Sequence, residues 1–287
     1  MLKLSRPLHL ILAALTYLLG ASIPAYLAKP FHSTTFWLGL VGVLCAQVSM
    51  NLLAEAFRPH NEPLIANETP GQKETLRNNL LYVSYASFAA SLLTAFILFL
   101  NHNLAVPTFY FFLLSLFLLI TYAIPPFRLL DRGFGELALA AHIAYVIPSI
   151  GFLLQAAETH RLLLTMTVPL TALALAYFLV LDFPTFVNDQ KYHRATLLRT
   201  LGWETAVPLH HSLIIFAYVF FAMVPLFGLS FSLVSRAFIS LPFAIFQIFQ
   251  LRAIAHGRKP NWPLLTVNAF AVFALTAYFL LLTFWTG

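Results

Sequence analysis

The chain has 287 residues, 60% of them hydrophobic and only 9% charged, with a mean hydropathy of +0.84. Soluble domains carry about 25% charged residues, so no water-facing surface can be assembled and the solvent around this chain must be lipid. The net charge of +6 and the isoelectric point near 9.5 therefore give no sign of a nucleic-acid partner, because in a membrane protein Lys and Arg mark the cytoplasmic loops.

A membrane-crossing helix needs roughly 20 mostly apolar residues. Taken in chain order, the apolar runs predict nine spans, at about 8–28, 36–57, 79–100, 105–124, 134–155, 163–187, 207–226, 229–250 and 263–285. Lys3 and Arg6 before the first run imitate a signal peptide. That run is as long as a full span and further spans follow, so it reads as the first of the set. Pro30, Asn101-His102-Asn103, Pro125-Pro126 and Pro260 punctuate the breaks. Cys45 is the only cysteine and lies in an apolar run, which excludes an internal disulfide; no C-x-x-C or His/Cys cluster suggests zinc or haem.

Charge sets the expected orientation. With the N-terminus in the cytoplasm, thirteen of the 16 Lys and Arg fall inside; Lys29 and Arg161 fall outside and Arg236 within a span. The C-terminus is then on the opposite side. Nine of the ten acidic residues gather at the same cytoplasmic end, Glu158 being the exception. Acidic residues have little influence on topology, so this bias points to a polar, cation-binding reaction zone on that face. The two longest inside loops, 58–78 and 188–206, border it, and the whole chain reads as one domain.

Three stretches could carry chemistry. Asn51, Glu55, Arg58 and Glu62 follow one another at spacings that return to one helical face. Two carboxylates and an amide at a helix end suit a hydrated divalent cation, since magnesium takes a few carboxylates plus water and phosphate oxygens. The plainer reading is interfacial side chains reaching for water, Glu62 above all because Pro59 should end the helix. Asp182 and Asp189, seven residues apart, end a long apolar run and are followed by Lys191, Tyr192, His193 and Arg194. A metal–phosphate site and an Asp182–Arg salt bridge inside the bundle both account for Asp182. The third stretch, Pro125-Pro126-Phe127-Arg128-Leu129-Leu130-Asp131-Arg132-Gly133-Phe134-Gly135-Glu136, is a structured turn that alone proves little. His142 and the His210-His211 pair read as packed or interfacial rather than ligating.

The stretch from Tyr122 to Glu136 resembles the Y-x-x-x-P-F-x-x-x-x-R-G-x-G-E stretch of the UbiA superfamily of intramembrane prenyltransferases. Arg6-Pro7 before the first span fits the same family, as do Ala195-Thr196-Leu197 and Leu201-Gly202 after the second acidic pair. The first acidic motif departs from it. The family's N-D-x-x-D is represented by Asn51 with Glu55 in place of an Asp, or, in another register, by Ala54-Glu55 with Arg58 over the later Asp. The arginines that usually follow are missing from the 61–67 stretch, and Thr185 stands where naphthoate-type members carry an Asp.

The resemblance implies an all-helical membrane bundle of nine spans around a lipid-accessible chamber. It implies magnesium as cofactor, with Asn51, Glu55, Glu62, Asp182 and Asp189 as metal ligands and Asp182, Asp189 and Glu55 carrying the catalysis. Asn51, Lys191, Arg194 and Arg132 would bind diphosphate. The partners would be an isoprenoid diphosphate, a lipophilic or aromatic acceptor of quinone-precursor type, and membrane lipid. A UbiA-like chain with lost or altered chemistry is the first rival, and a small transporter the second; against the transporter, charges are almost absent from mid-membrane, where a transport site should lie, with Arg236 the exception.

Overall fold

The computed structural model describes residues 4–65, 68–101 and 104–286. Lys3, Asn67, and His102 and Asn103 of the third break, lie outside them. The described residues are helical throughout, without a strand, and nine helices among them are long and apolar enough to cross a membrane: α1 (Pro7–Tyr26), α2 (Ser33–Ala56), α3 (Pro70–Leu100), α4 (Val106–Ala123), α5 (Gly135–Ala156), α6 (Arg161–Lys191), α7 (Trp203–Ala222), α8 (Ser232–Ala255) and α9 (Trp262–Thr286). This is an integral, multi-pass membrane protein.

The helices close on themselves. α1 packs against α5 on one side and α9 on the other, α6 packs against α7 and α9, and α3 leans on α2 at the edge. α5 and α6 are the most buried and α3 the least, so α3 presents most of its surface to lipid. Small residues permit the closest approach in a membrane bundle. A methyl group at Gly20 of α1 would lie 1.9 Å from the Pro148 carbonyl oxygen of α5, so this position has no room for a side chain.

Two expected loops are shorter than their polarity suggests. α3 begins at Pro70 rather than near residue 79, because Thr69 and Gln72 form a capping box: Thr69 Oγ1 accepts from Gln72 N at 3.3 Å and Gln72 Oε1 from Thr69 N at 3.1 Å. α6 runs through Pro184 to Lys191, and the remaining connection holds a short helix, Leu197–Leu201. The 58–78 and 188–206 segments meet at one end of the bundle, where Arg194 pairs with Glu62. Arg236 falls within the eighth span, as expected, but close to its start. The eighth span starts at Ser232, which puts Arg236 at a helix end, exposed and donating to Thr286 Oγ1 at 2.9 Å.

Candidate functional site

The polar end of the bundle encloses a cavity of about 440 Å³ between α1, α4, α5 and α6. α6 supplies Asp182, Thr185 and Asp189, at spacings of three and four that put them on one face. The first turn of α5 supplies Glu136, directly after the tight turn that holds Gly133. Gly133 takes a positive φ of 77° there, a conformation strained for other residues, and a methyl group on it would lie 2.5 Å from Thr200 Oγ1. The turn therefore docks tightly on the segment after α6, and Leu197 N donates to Glu136 Oε2 at 3.3 Å. Arg6, just before α1, and Arg194, just after α6, face the same space. Deeper in, the wall is aromatic and apolar: His9, Tyr122, Leu139, Tyr177, Phe178 and Leu181.

Around the cavity runs a chain of ion pairs. Arg6 Nη2 donates to Glu55 Oε1 at 2.8 Å, and Arg58 closes on the other Glu55 oxygen. Arg58 Nη1 lies 3.2 Å from Glu62, which also holds Arg194, and Arg194 Nη1 lies 3.6 Å from Asp189 Oδ1. Three guanidinium groups thus meet three carboxylates, and the chain balances itself. Asp182 and Glu136 remain. They interact side chain to side chain, both are buried, and no cation pairs with either among the described residues. Asp182 Oδ2 is a buried oxygen without a hydrogen-bond partner. Uncompensated buried carboxylates are costly, so this corner of the cavity lacks a positive charge.

The sequence-expected residues divide accordingly. Asp182, Asp189 and Arg194 face the cavity. Asn51, Glu55 and Glu62 do not. The Asn51 amide is hydrogen-bonded at both ends, accepting from Gln47 Nε2 at 3.0 Å and donating to the Ser5 carbonyl at 2.8 Å, while Glu55 and Glu62 are neutralised by arginines. The first acidic motif has become an ion-pair brace. Lys191 lies exposed over the Tyr192 ring, 5.2 Å from its centroid, and Arg132 lies exposed against the Pro126 carbonyl at 2.7 Å; neither reaches the cavity. The salt-bridge reading of Asp182 is likewise replaced, because Arg194 chooses Glu62 and Asp189. The sequence reading did not single out His9, Tyr177 and Phe178. Their only signal was a histidine three residues after Arg6 and an aromatic pair one helical turn before Asp182.

The donor set fits magnesium on one side only. Asp182, Glu136 and Asp189 offer hard oxygen ligands, with one oxygen unpartnered. Among the described residues no three acidic, His or Cys side chains already converge to hold a metal, so further oxygens would have to come from a phosphate and water. The Asn51–Glu55 side does not fit, since its oxygens are already bonded.

No protein-family model and no curated protein sequence matches this chain. Among solved structures, its fold is similar to a UbiA homolog from Archaeoglobus fulgidus bound to DMAPP and Mg2+, with TM-score 0.64 and 16% identity over 96% of this chain and 98% of that one. It is similar as well to a UbiA homolog from the same organism bound to GPP and Mg2+, with TM-score 0.60 and 17% identity over 98% of both chains. At such identities the likeness concerns the fold: the nine helices adopt the UbiA arrangement.

Proposed function

We propose that this protein binds an isoprenoid diphosphate at the polar end of the bundle and, with magnesium, transfers its prenyl chain to a lipophilic, aromatic, quinone-precursor-like acceptor. The observation that carries this is the unpaired Asp182–Glu136 couple in a cavity with arginines at its mouth and aromatic rings behind them. The ligands of the two UbiA homologs of similar fold, DMAPP and GPP with Mg2+, support the ligand class.

Asp182, Asp189 and Glu136 would hold magnesium, whose charge would stabilise the diphosphate as a leaving group. Arg6 and Arg194 donate to phosphate oxygens, a pairing suited to the planar guanidinium. Tyr177 and Phe178 present aromatic surface one turn inside Asp182, where ring faces attract an allylic cation and keep water away. The prenyl tail continues into the apolar interior. The cavity opens at the end where the Lys and Arg residues cluster, which by the positive-inside rule is the cytoplasmic face.

Farnesyl thiodiphosphate titrated into purified protein in lipid nanodiscs tests the reading. Wild type is expected to bind in magnesium and at least about tenfold more weakly in EDTA, and Asp182→Asn combined with Glu136→Gln to remove the magnesium dependence. Binding that ignores both magnesium and these two residues sinks the proposal. A second reading, binding without transfer, is favoured by one observation: Glu55 is closed off by Arg6 and Arg58. Tight binding with no diphosphate release across a panel of phenolic acceptors would select it.

A further inference from the structure

A buried hydrogen-bond chain crosses the bundle beside the cavity and ends on His9. Ser115 Oγ is 2.8 Å from His142 Nε2, and His142 Nδ1 is 2.9 Å from Gln47 Oε1. Gln47 Nε2 donates to Asn51 Oδ1 at 3.0 Å, Asn51 Nδ2 donates to the Ser5 carbonyl at 2.8 Å, and His9 Nδ1 lies 3.4 Å from Asn51 Oδ1. A backbone carbonyl only accepts, so the Ser5 contact fixes the Asn51 amide with its oxygen toward Gln47 and His9. His9 must then donate from Nδ1. The other nitrogen of a neutral imidazole carries a lone pair, and His9 Nε2 has no hydrogen-bond partner among the described residues while the ring lines the cavity. The ring stands edge-on to Phe178, with centroids 5.2 Å apart, beside the aromatic wall. The titratable groups facing the same space are Arg6 from before α1, Tyr122 from α4, Glu136 from α5, Tyr177, Asp182 and Asp189 from α6, and Arg194 just after it.

We infer that His9 Nε2 is the base that receives the hydroxyl proton of the phenolic acceptor. This rests on the prenyl-transfer reading. The O–H proton passes to Nε2 and its electron pair stays on the acceptor. That pair forms the bond to C1 of the prenyl group, while the C1–O bond breaks and its electrons leave with the diphosphate. If a ring carbon attacks, its hydrogen returns to the acceptor oxygen and restores the aromatic ring. Water then takes the proton from His9. Asn51 and Gln47 are positioning residues that fix the tautomer.

Full-length protein with 15N-labelled histidine, in nanodiscs with magnesium and farnesyl thiodiphosphate, tests the assignment. His9→Asn identifies the His9 signals and keeps an N–H near Asn51; His9→Gln serves if that variant is poorly folded. The expected result is a neutral ring protonated at Nδ1, with an Nε2 resonance that moves when phenol or 4-hydroxybenzoate is added. His9→Asn should bind the thiodiphosphate within about threefold of wild type and lower single-turnover transfer from farnesyl diphosphate to those phenols by at least about 100-fold. A ring protonated at Nε2, an Nε2 signal indifferent to both phenols, or undiminished transfer by His9→Asn overturns the role of His9. Failure of wild type to bind thiodiphosphate overturns the prenyl-transfer reading instead, whatever the histidine spectrum shows.

Discussion

Glu55 and Asp182 are both buried carboxyl groups near helix ends at the polar end of the bundle, yet their surroundings give them different work. Glu55 accepts from two arginines, whereas Asp182 faces Glu136 and has an oxygen without a partner. Removing a partner from a buried charge costs more than the contact itself contributes. Arg58→Ala should therefore lower stability by about 1–3 kcal/mol, since Arg6 still covers Glu55, read as a fall in the unfolding midpoint in detergent. Asp182→Asn replaces one of two facing carboxyls that have no cationic partner and should leave that midpoint unchanged or raise it in the absence of magnesium; a large loss of stability would mean that Asp182 has a cationic partner in the resting protein. The residue types and their spacings were legible in the chain. Which carboxylate meets which arginine was not, because Arg6, Arg58 and Arg194 come from three helix ends that only the packing brings together.

The errors at the level of elements have one cause: polarity was taken for loop. The first turns of α3 carry Lys73, Glu74 and Arg77, and the last turns of α6 carry Asn188, Asp189 and Lys191; these helices extend beyond the apolar layer into water and headgroups. The capping box at Thr69 was present in the sequence and would have located the start of α3. Thr69→Ala should cost about 1 kcal/mol locally, measurable as faster amide exchange over residues 70–77 with the far end of α3 unaffected. The predicted sixth span already ran through Pro184, since a membrane bundle tolerates proline within a helix where neighbours satisfy the freed carbonyl. At Gly20 the contact is steric. Gly20→Ala must push α1 from α5 and should destabilise by about 1–3 kcal/mol, seen in a thermal melt; an unchanged melt would mean that the two backbones are farther apart than described.

At the scale of the molecule, the polar segments following α2 and α6 share one end, tied by Glu62 and Arg194. In a Cys45→Ser background, single cysteines placed at Asn61 and His193 should both react with an impermeant maleimide from the cytoplasmic side only. Labelling from opposite sides would break the nine-span topology, and labelling of both from outside would reverse the orientation expected from the basic residues.

Composition alone determined that the chain lives in lipid, and hydropathy with length determined the number of spans, because each span must satisfy its own backbone and carry an apolar run of known length. The clustering of acidic and basic residues marked the polar end of the bundle. The tertiary structure decided which of those residues face the cavity. It turned the Asn51–Glu55–Glu62 motif from expected ligands into a brace, brought Glu136 beside Asp182, and aimed His9 at the same space. Such choices depend on distances of a few ångströms between helix ends far apart in the chain. Periodicity reports the face of a helix on which a residue lies; the packing of neighbouring helices determines what that face meets.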